Sequence, residues 1–408
     1  MQKKLLLFSL LAAGSVTVAR AQFSEFQNNA AASTFTLSSD QNTLQIGGRT
    51  SFYYEDRVMK QGNVNLSHNG FNVGDMDIDL LGKTANKFIY EFHLSPIDLV
   101  TAAATQNTSN PANSGIKAAY LQYVGFLVHI KLGFDKVPFS QGSLTEKWAS
   151  PMWSHANLYG GDYFSRRDIG LTLNTNLMNN RLHLYGGMYS GLGENCFEYG
   201  GDASGKPEFI GRAEYSYPGK MKYASIDEEN SPVVNFRVAL NARYMDKTQP
   251  AGHSVATDVP DAPGAFGLRI VDGKRSVYGG DFIIKYRGLS FLFETDMVNI
   301  QPNSTADPLY EGTATSVNKN KVNAGGFTTS LNYNLEKLHS CVTIMYETLN
   351  PNDLAPGHEE WLYLGYAYKL SGFNSVFKIE YYRPMVEDVV SDPLKYTAQI
   401  RAGYQIVF

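Results

Sequence analysis

Cysteine is nearly absent from this chain: Cys196 and Cys341 are the only two in 408 residues. A disulfide framework is therefore not what holds the fold, and two free thiols are expected. Charge is scarce as well, at 18% Asp, Glu, Lys and Arg, against roughly 25% in soluble domains. Neither sign dominates: 35 Lys+Arg stand against 39 Asp+Glu. The basic excess of a nucleic-acid binder is missing. Past the first twenty residues no apolar run approaches the ~18–20 residues of a membrane-spanning helix, so a helical membrane protein is excluded. Tryptophan is rare, at three, while Tyr reaches 26, Phe 23 and Gly 37.

The amino terminus reads as an export signal. Met1-Gln2-Lys3-Lys4 is basic, Leu5 to Ala13 is apolar, and Ala19-Arg20-Ala21 is a small-x-small cleavage site. Residues 1–21 are expected to be a signal peptide, too short for an anchor. Residues 22–42 are an arm, long enough for a short helix at most. Residues 43–408 carry the fold.

That fold is all-β. In 233–245 (VVNFRVALNARYM), Val234, Phe236, Val238, Leu240, Ala242 and Tyr244 alternate with Asn235, Arg237, Ala239, Asn241 and Arg243. Period-two alternation places one apolar and one polar face on a strand. Thirteen residues is long for a globular strand, whose usual length is about 5–6, but suits a tilted strand crossing a bilayer. Sixteen such segments are expected: 43–55, 70–82, 87–98, 116–125, 127–137, 167–176, 181–190, 208–217, 233–245, 276–287, 289–300, 323–334, 338–348, 361–370, 375–383 and 396–408. The connections alternate too. The gaps 56–69, 99–115, 138–166, 191–207, 246–275, 301–322, 349–360 and 384–395 are long, and those between them are short. Residues 218–232 are the exception, long where a turn is due. An even strand count with one-sided loops describes a transmembrane antiparallel β-barrel of about sixteen strands. In lipid only a closed sheet leaves no backbone amide unpaired. Tyr53-Tyr54, Tyr215, Tyr217 and Tyr381-Tyr382 suit the interfacial aromatic girdles. The outer membrane of a Gram-negative bacterium is the expected location.

Residues 396–408 (YTAQIRAGYQIVF) put Tyr396, Ala398, Ile400, Ala402, Tyr404, Ile406 and Phe408 on one face. The stretch resembles the terminal strand of bacterial outer-membrane proteins. That resemblance implies that Phe408 is read by the barrel insertion machinery.

Four further runs carry a second resemblance: NKFIYEFHLSPID (86–98), IKAAYLQY (116–123), KLGFDKVPFS (131–140) and RRDIGLTL (166–173). The stretch is similar to the phosphate-selective porin O/P family. The resemblance implies a homotrimer of sixteen-stranded channels passing small hydrophilic solutes, anions or phosphate among them. One departure stands out. The second strand, where that family has paired arginines, reads FNVGDMDIDLLGK, with Asp75, Asp77 and Asp79 on one face. Anion specificity is not carried over at that point.

Placing the polar face of each strand in the lumen yields cations at Arg49, Lys131, Arg212, Arg237, Arg243, Lys285, Lys369, Lys378 and Arg401. Anions fall at Asp75, Asp77, Asp79, Glu91, Asp135, Glu214, Asp281, Glu294, Asp296, Glu347 and Glu380. The sets nearly cancel, so weak selectivity is expected. Loop 138–166 is the third outer loop and is expected to fold inward as the constriction. Its pore candidates are Glu146, Lys147, Arg166 and Arg167, with Lys136 at its entry; it also holds Trp148 and Trp153. Arg166 and Arg167 either attract anions or sit at the rim paired with Asp162 or Asp168.

No enzyme signature emerges. Gly357-His358-Glu359-Glu360 lacks the second His of a zinc protease, and neither a Gly-x-Ser-x-Gly elbow nor a phosphate loop occurs. No catalytic residue, metal or cofactor is expected. A rim-site esterase or protease and a structural or adhesin barrel are the alternatives to a porin.

Overall fold

The structure, a computed structural model, describes residues 35–61, 64–85, 87–99, 115–156, 166–193, 205–247, 273–302, 321–350, 358–387 and 395–408. The signal-peptide reading of residues 1–21 lies outside them. So do Cys196, Asp162 in the third outer loop, and the middle of most long loops.

Seventeen strands form one sheet. β1 is Phe35–Ser38, β2 Thr43–Gln61, β3 Val64–Thr84, β4 Phe88–Leu94, β5 Ile116–Tyr123 and β6 Val128–Lys136. β7 is Arg167–Leu177, β8 Leu182–Tyr189, β9 Glu208–Tyr217, β10 Asn235–Lys247, β11 Gly273–Tyr286 and β12 Leu289–Pro302. β13 is Val322–Leu335, β14 Ser340–Asn350, β15 Glu359–Ser371, β16 Ser375–Glu387 and β17 Lys395–Val407. Every neighbouring pair from β2 to β17 is antiparallel, and β17 pairs back onto β2, closing a sixteen-strand ring. Closure removes both edges, which is what a lipid environment demands of a sheet.

β1 lies outside this count and was not expected as a strand. It pairs with the start of β2, from Phe35↔Ile46 to Ser38↔Thr43. Just beyond that register Phe408 exchanges both backbone hydrogen bonds with Gly48, at 2.8 and 2.9 Å. β1 thus continues along β2 where β17 stops, satisfying amides that would otherwise be bare. A Cβ on Gly48 would lie 2.9 Å from the Phe408 ring, so only glycine admits that packing.

Burial is inverted, as lipid requires. On β10, Leu240 is 71% exposed while Arg237 is fully buried. The same inversion recurs on β3 and β17. Asp77 is buried and Met76 and Ile78 are exposed on β3. Ile400, Tyr404, Ile406 and Phe408 face outward on the last strand. The girdle reading holds for Tyr54 and Tyr217, both exposed. It fails for Tyr53 and Tyr382, whose rings pack inside on Trp153 and Trp361. Adjacent residues on a strand point to opposite faces, so a Tyr-Tyr pair supplies only one girdle residue.

The expected gap 56–69 is a second correction. β2 and β3 run on as a paired ribbon from Glu55↔Gly70 to Gln61↔Val64. Above the membrane both faces meet water, so pairing continues after the apolar alternation ends. On the opposite rim the turns are short, with two residues, Arg287 and Gly288, joining β11 and β12. Both have positive φ, +49° and +84°, the backbone of a tight hairpin turn.

Candidate functional site: two inward segments in the lumen

The run Lys131-Leu132-Gly133-Phe134-Asp135-Lys136-Val137-Pro138-Phe139-Ser140 carries the chain off the wall. Gly133 sits at φ +138°, and a Cβ there would lie 2.3 Å from the Ala119 carbonyl oxygen. Val137 still donates to the Arg166 carbonyl at 2.8 Å; beyond it the segment turns inward. Val137, Phe139, Met152 and Ala156 join one buried apolar cluster with wall residues Val277, Val298, Ile300, Met345 and Leu349. These wall side chains are apolar at lumen positions. They give the loop a core to pack on, and burying that apolar surface drives it inside.

Polar contacts then fix the loop across the lumen. Ser140 caps a single helical turn, Gln141–Leu144, accepting from Ser143 N–H at 3.0 Å. The Gly142 N–H donates to Glu294 on β12 at 2.9 Å. Glu146 pairs with Lys136 and lies 3.8 Å from Arg49. Burial pushes the Glu146 carboxyl up, but Lys136, Arg49 and Arg167 outweigh it and hold the group low, at about 2. Gln405 donates to the Trp148 carbonyl at 3.0 Å. Ser154 donates to Glu380 from its N–H at 2.7 Å and its hydroxyl at 2.6 Å. The loop therefore touches β2, β6, β12, β16 and β17, which lie on several sides of the ring.

The long turn 218–234, on the opposite rim, also folds inward. Its Met221, Tyr223 and Ile226 are buried in three apolar clusters: with Ile283 and Leu292, with Leu144 and Tyr185, and with Cys341, Ala367, Phe373 and Val376. Tyr223 is the centre. Its hydroxyl donates to Glu214 at 2.9 and 3.0 Å, and Arg237 sits 4.1 Å from its ring. Gln141 donates to its carbonyl at 2.6 Å, so turn and loop meet. Lys285 donates to the carbonyls of Ala224 and Ile226 at 2.6 and 2.8 Å. Asp227 accepts from Gly288 N–H and Ser231 N–H, closing the turn onto the β11–β12 hairpin.

These segments sort the pore candidates. Arg212, Arg237 and Arg243 point into the lumen, but all three are buried beneath the loop and turn. Arg212 binds Asp281 through two nitrogens, at 2.5 and 3.1 Å, and Glu214 at 3.0 Å. Arg243 and Arg275 share Glu208. Such doubly bonded guanidinium–carboxylate pairs brace a wall. Lys131 pairs with Asp135 at 2.6 Å and Lys136 with Glu146. Arg166 donates to the carbonyls of Ser143 at 3.3 Å and Thr145 at 3.1 Å, and so holds the loop in place. Arg167 begins β7 opposite Lys136. Asp168, one of the two partners expected for these arginines, accepts from Ser190 and the Gly191 N–H; the other, Asp162, lies outside the described residues. Lys147 is exposed on the loop.

The solvent-accessible lumen lies on one side. Asp79 has a 31% exposed side chain, and Arg49, Tyr53, Arg57, Asp75, Glu91 and Asp135 are partly exposed. All lie on β2 to β6, facing the loop. Arg49 pairs with Asp77. His93 bridges Asp77 and Asp79 at 3.4 and 3.2 Å. Asp79, Glu91 and His93 bring ligand atoms within 4.8 Å of one another, yet each is already engaged: Glu91, for example, accepts from Tyr120 at 2.7 Å. Sequence reasoning missed Tyr223 altogether. The only signal was the anomalous length of 218–232.

No protein-family model matches the sequence, and no curated protein matches it significantly. Among solved structures the chain is similar to the outer-membrane-expressed OmpT of Vibrio cholerae, with a TM-score of 0.57 and 7% identity over 91% of this chain and 100% of that one. It is similar to the outer membrane channel DcaP of Acinetobacter baumannii, with a TM-score of 0.54 and 11% identity over 91% and 99%. The anion-selective porin from Comamonas acidovorans gives 0.53 and 9% over 90% and 100%. The fold is the closed, antiparallel β-barrel that these outer-membrane proteins share. At such identities the likeness speaks for the fold and not for a solute. That shared fold accounts for the closed ring and the outward apolar band, while the inward turn is held by this chain's own contacts.

Proposed function

We propose that the chain is an outer-membrane porin of a Gram-negative bacterium: a water-filled channel for passive diffusion of small hydrophilic solutes, narrowed by the segment that enters the lumen after Lys136, and not an enzyme. The observation that carries this reading is the accessible lumen between β2–β6 and loop residues 146–148. Both of its sides bear charge: Arg49, Arg57, Asp75 and Asp79 on the wall, Glu146 and Lys147 on the loop. A charged, hydrated lumen closed to lipid is what diffusion of polar solutes needs. Anions, phosphate included, are among the solutes, as the resemblance of residues 86–174 to the phosphate-selective porins implies. Overall ion preference is weak because the lumen charges are largely matched in pairs.

The same reading includes a homotrimer. β4 to β8 have 7, 8, 9, 11 and 8 residues. At ~3.4 Å per residue and ~40° tilt, a seven-residue strand spans only ~18 Å, less than the ~25 Å apolar band of such barrels. A wall this short is better matched to another copy than to lipid. Insertion through the outer-membrane assembly machinery, reading the strand that ends in Phe408, completes the picture.

Purified protein in planar bilayers should give stepwise conductance with a reversal potential near zero in a salt gradient. A silent protein that hydrolyses ester or peptide substrates would overturn the reading. Native mass spectrometry in detergent should show three copies; a monomer would remove the trimer.

A further inference from the structure

Glu91 and His93 stand two residues apart on β4 and so share its inward face. Asp79 on β3 lies directly opposite His93. The residues between them, Phe92 and Ile78, are exposed on the outer face. Period-two alternation thus gathers one imidazole and two carboxylates on a patch of the accessible wall. His93 Nδ1 is 3.2 Å from Asp79 Oδ1, and the ligand atoms of all three residues lie within 4.8 Å of one another. Two ligand atoms on a tetrahedral zinc, each ~2.0–2.1 Å from the metal, are ~3.3 Å apart. The His93–Asp79 spacing already has that value, and a Glu91 side-chain rotation closes the rest.

The charge around this patch is unbalanced. Arg49 pairs with Asp77, Lys131 with Asp135 and Lys136 with Glu146. Neither Asp79 nor Glu91 has a Lys or Arg in ion-pair reach among the described residues; Asp79 has only His93, and Glu91 only the Tyr120 hydroxyl. Two neighbouring carboxylates are therefore left without a counter-charge. The 31% exposed side chain of Asp79 keeps them open to the fluid in the lumen.

The contacts that engage these residues are those an outer shell makes. His93 Nε2 lies 3.4 Å from Asp77 Oδ2 and 3.1 Å from an Arg49 nitrogen. With Nδ1 on a metal, Nε2 carries the ring proton and donates it to Asp77, the carboxylate behind a ligating imidazole that fixes its tautomer and raises its basicity. Arg49 keeps its bond to Asp77 in either tautomer. Tyr120 donates to Glu91 Oε2 at 2.7 Å, which orients that carboxylate and leaves Oε1 for the ion. One nitrogen and two carboxylate donors suit a borderline ion of the zinc type, whereas calcium and magnesium favour oxygen alone.

We propose that Asp79, Glu91 and His93 bind a divalent transition-metal ion of the zinc class on the lumen wall, with water completing its coordination. Asp77 and Tyr120 are positioning residues. The site needs the barrel and its parity, but not the passage of solutes.

The test is calorimetric titration of purified full-length protein in detergent with zinc chloride at neutral pH. One saturable site per chain is expected. Asp79→Asn and His93→Gln should each weaken it by about a hundredfold, and Tyr120→Phe, which removes an outer-shell donor, by about tenfold. Asp79 is partly exposed, so its variant folds even where His93→Gln does not. Glu229→Gln, an exposed change on the opposite rim, should leave the affinity unchanged. Absence of saturable zinc binding overturns the site, as does binding indifferent to Asp79→Asn. Calcium bound as tightly as zinc, with His93→Gln without effect, overturns it in favour of an all-oxygen site. A protein that binds zinc as described and yet passes no current in planar bilayers keeps the metal site and loses only the channel reading.

Discussion

Excision of the inward loop tests the constriction most directly. Replacing Gln141–Ala156 by a short Gly-Ser link removes the segment that ties β6 to Glu294, Glu380, Gln405 and Arg49. A sixteen-strand ring with ~4.8 Å between strands and ~40° tilt has a backbone radius of ~16 Å, and side chains reduce the lumen to ~11 Å. The loop crosses that space and covers the inner surface of β9 to β16, whose lumen side chains are nearly all buried. About half the cross-section is therefore closed by loop and turn. Conductance of a water-filled cylinder follows its area, so excision should raise it about two- to fourfold, the turn 218–234 keeping it below the open-ring limit. The barrel survives, because its strand ladders do not depend on the loop. Single-channel recording gives the conductance, and the heat-dependent gel shift of a folded barrel controls for structure. A folded barrel with unchanged conductance would refute the constriction and place the accessible path elsewhere.

Other expectations follow from the same contacts. Phe139→Ala empties a fully buried site in the loop core; the cost of about 3–5 kcal/mol usual for such truncations should appear as noisier, larger conductance with the β circular dichroism intact. Glu146 is held low, at about 2, against a usual 4.5. Its anchoring of the loop is therefore complete above about pH 4.5 and is lost as pH falls from there towards 2. Conductance should be flat from neutral pH to about 5 and rise below, and Glu146→Gln should remove that rise; a rise that persists in the variant sinks the assignment. Tyr223→Phe deletes the hydroxyl bonded to Glu214, leaving a buried carboxylate short of a donor at a cost of about 1–3 kcal/mol; faster proteolysis within 218–234 is the readout. Cys341 is fully buried and free, so a thiol reagent should reach it only on unfolding.

The sequence by itself determined the barrel. Strands such as 208–217, 289–300 and 396–408 were legible to within a residue or two, because lipid outside and water inside force a strict period of two and leave little freedom in each crossing. Which side chains face inward followed from the same parity, down to Arg237 and Asp77. Alternation could not say what fills the lumen. Whether Arg212 lines an open pore or lies under a loop depends on Phe139, Glu294 and Tyr223, residues up to some 150 positions apart in sequence. The turn 218–234 shows the same limit. Its Met221, Tyr223 and Ile226 are an apolar set without helix or strand period. They acquire meaning only because Ile283, Leu292, Phe373 and Val376 present matching apolar surface on the inner wall. Local patterning reports which solvent each face of a strand meets; the occupation of the interior is set by long-range packing, which only the closed ring brings together.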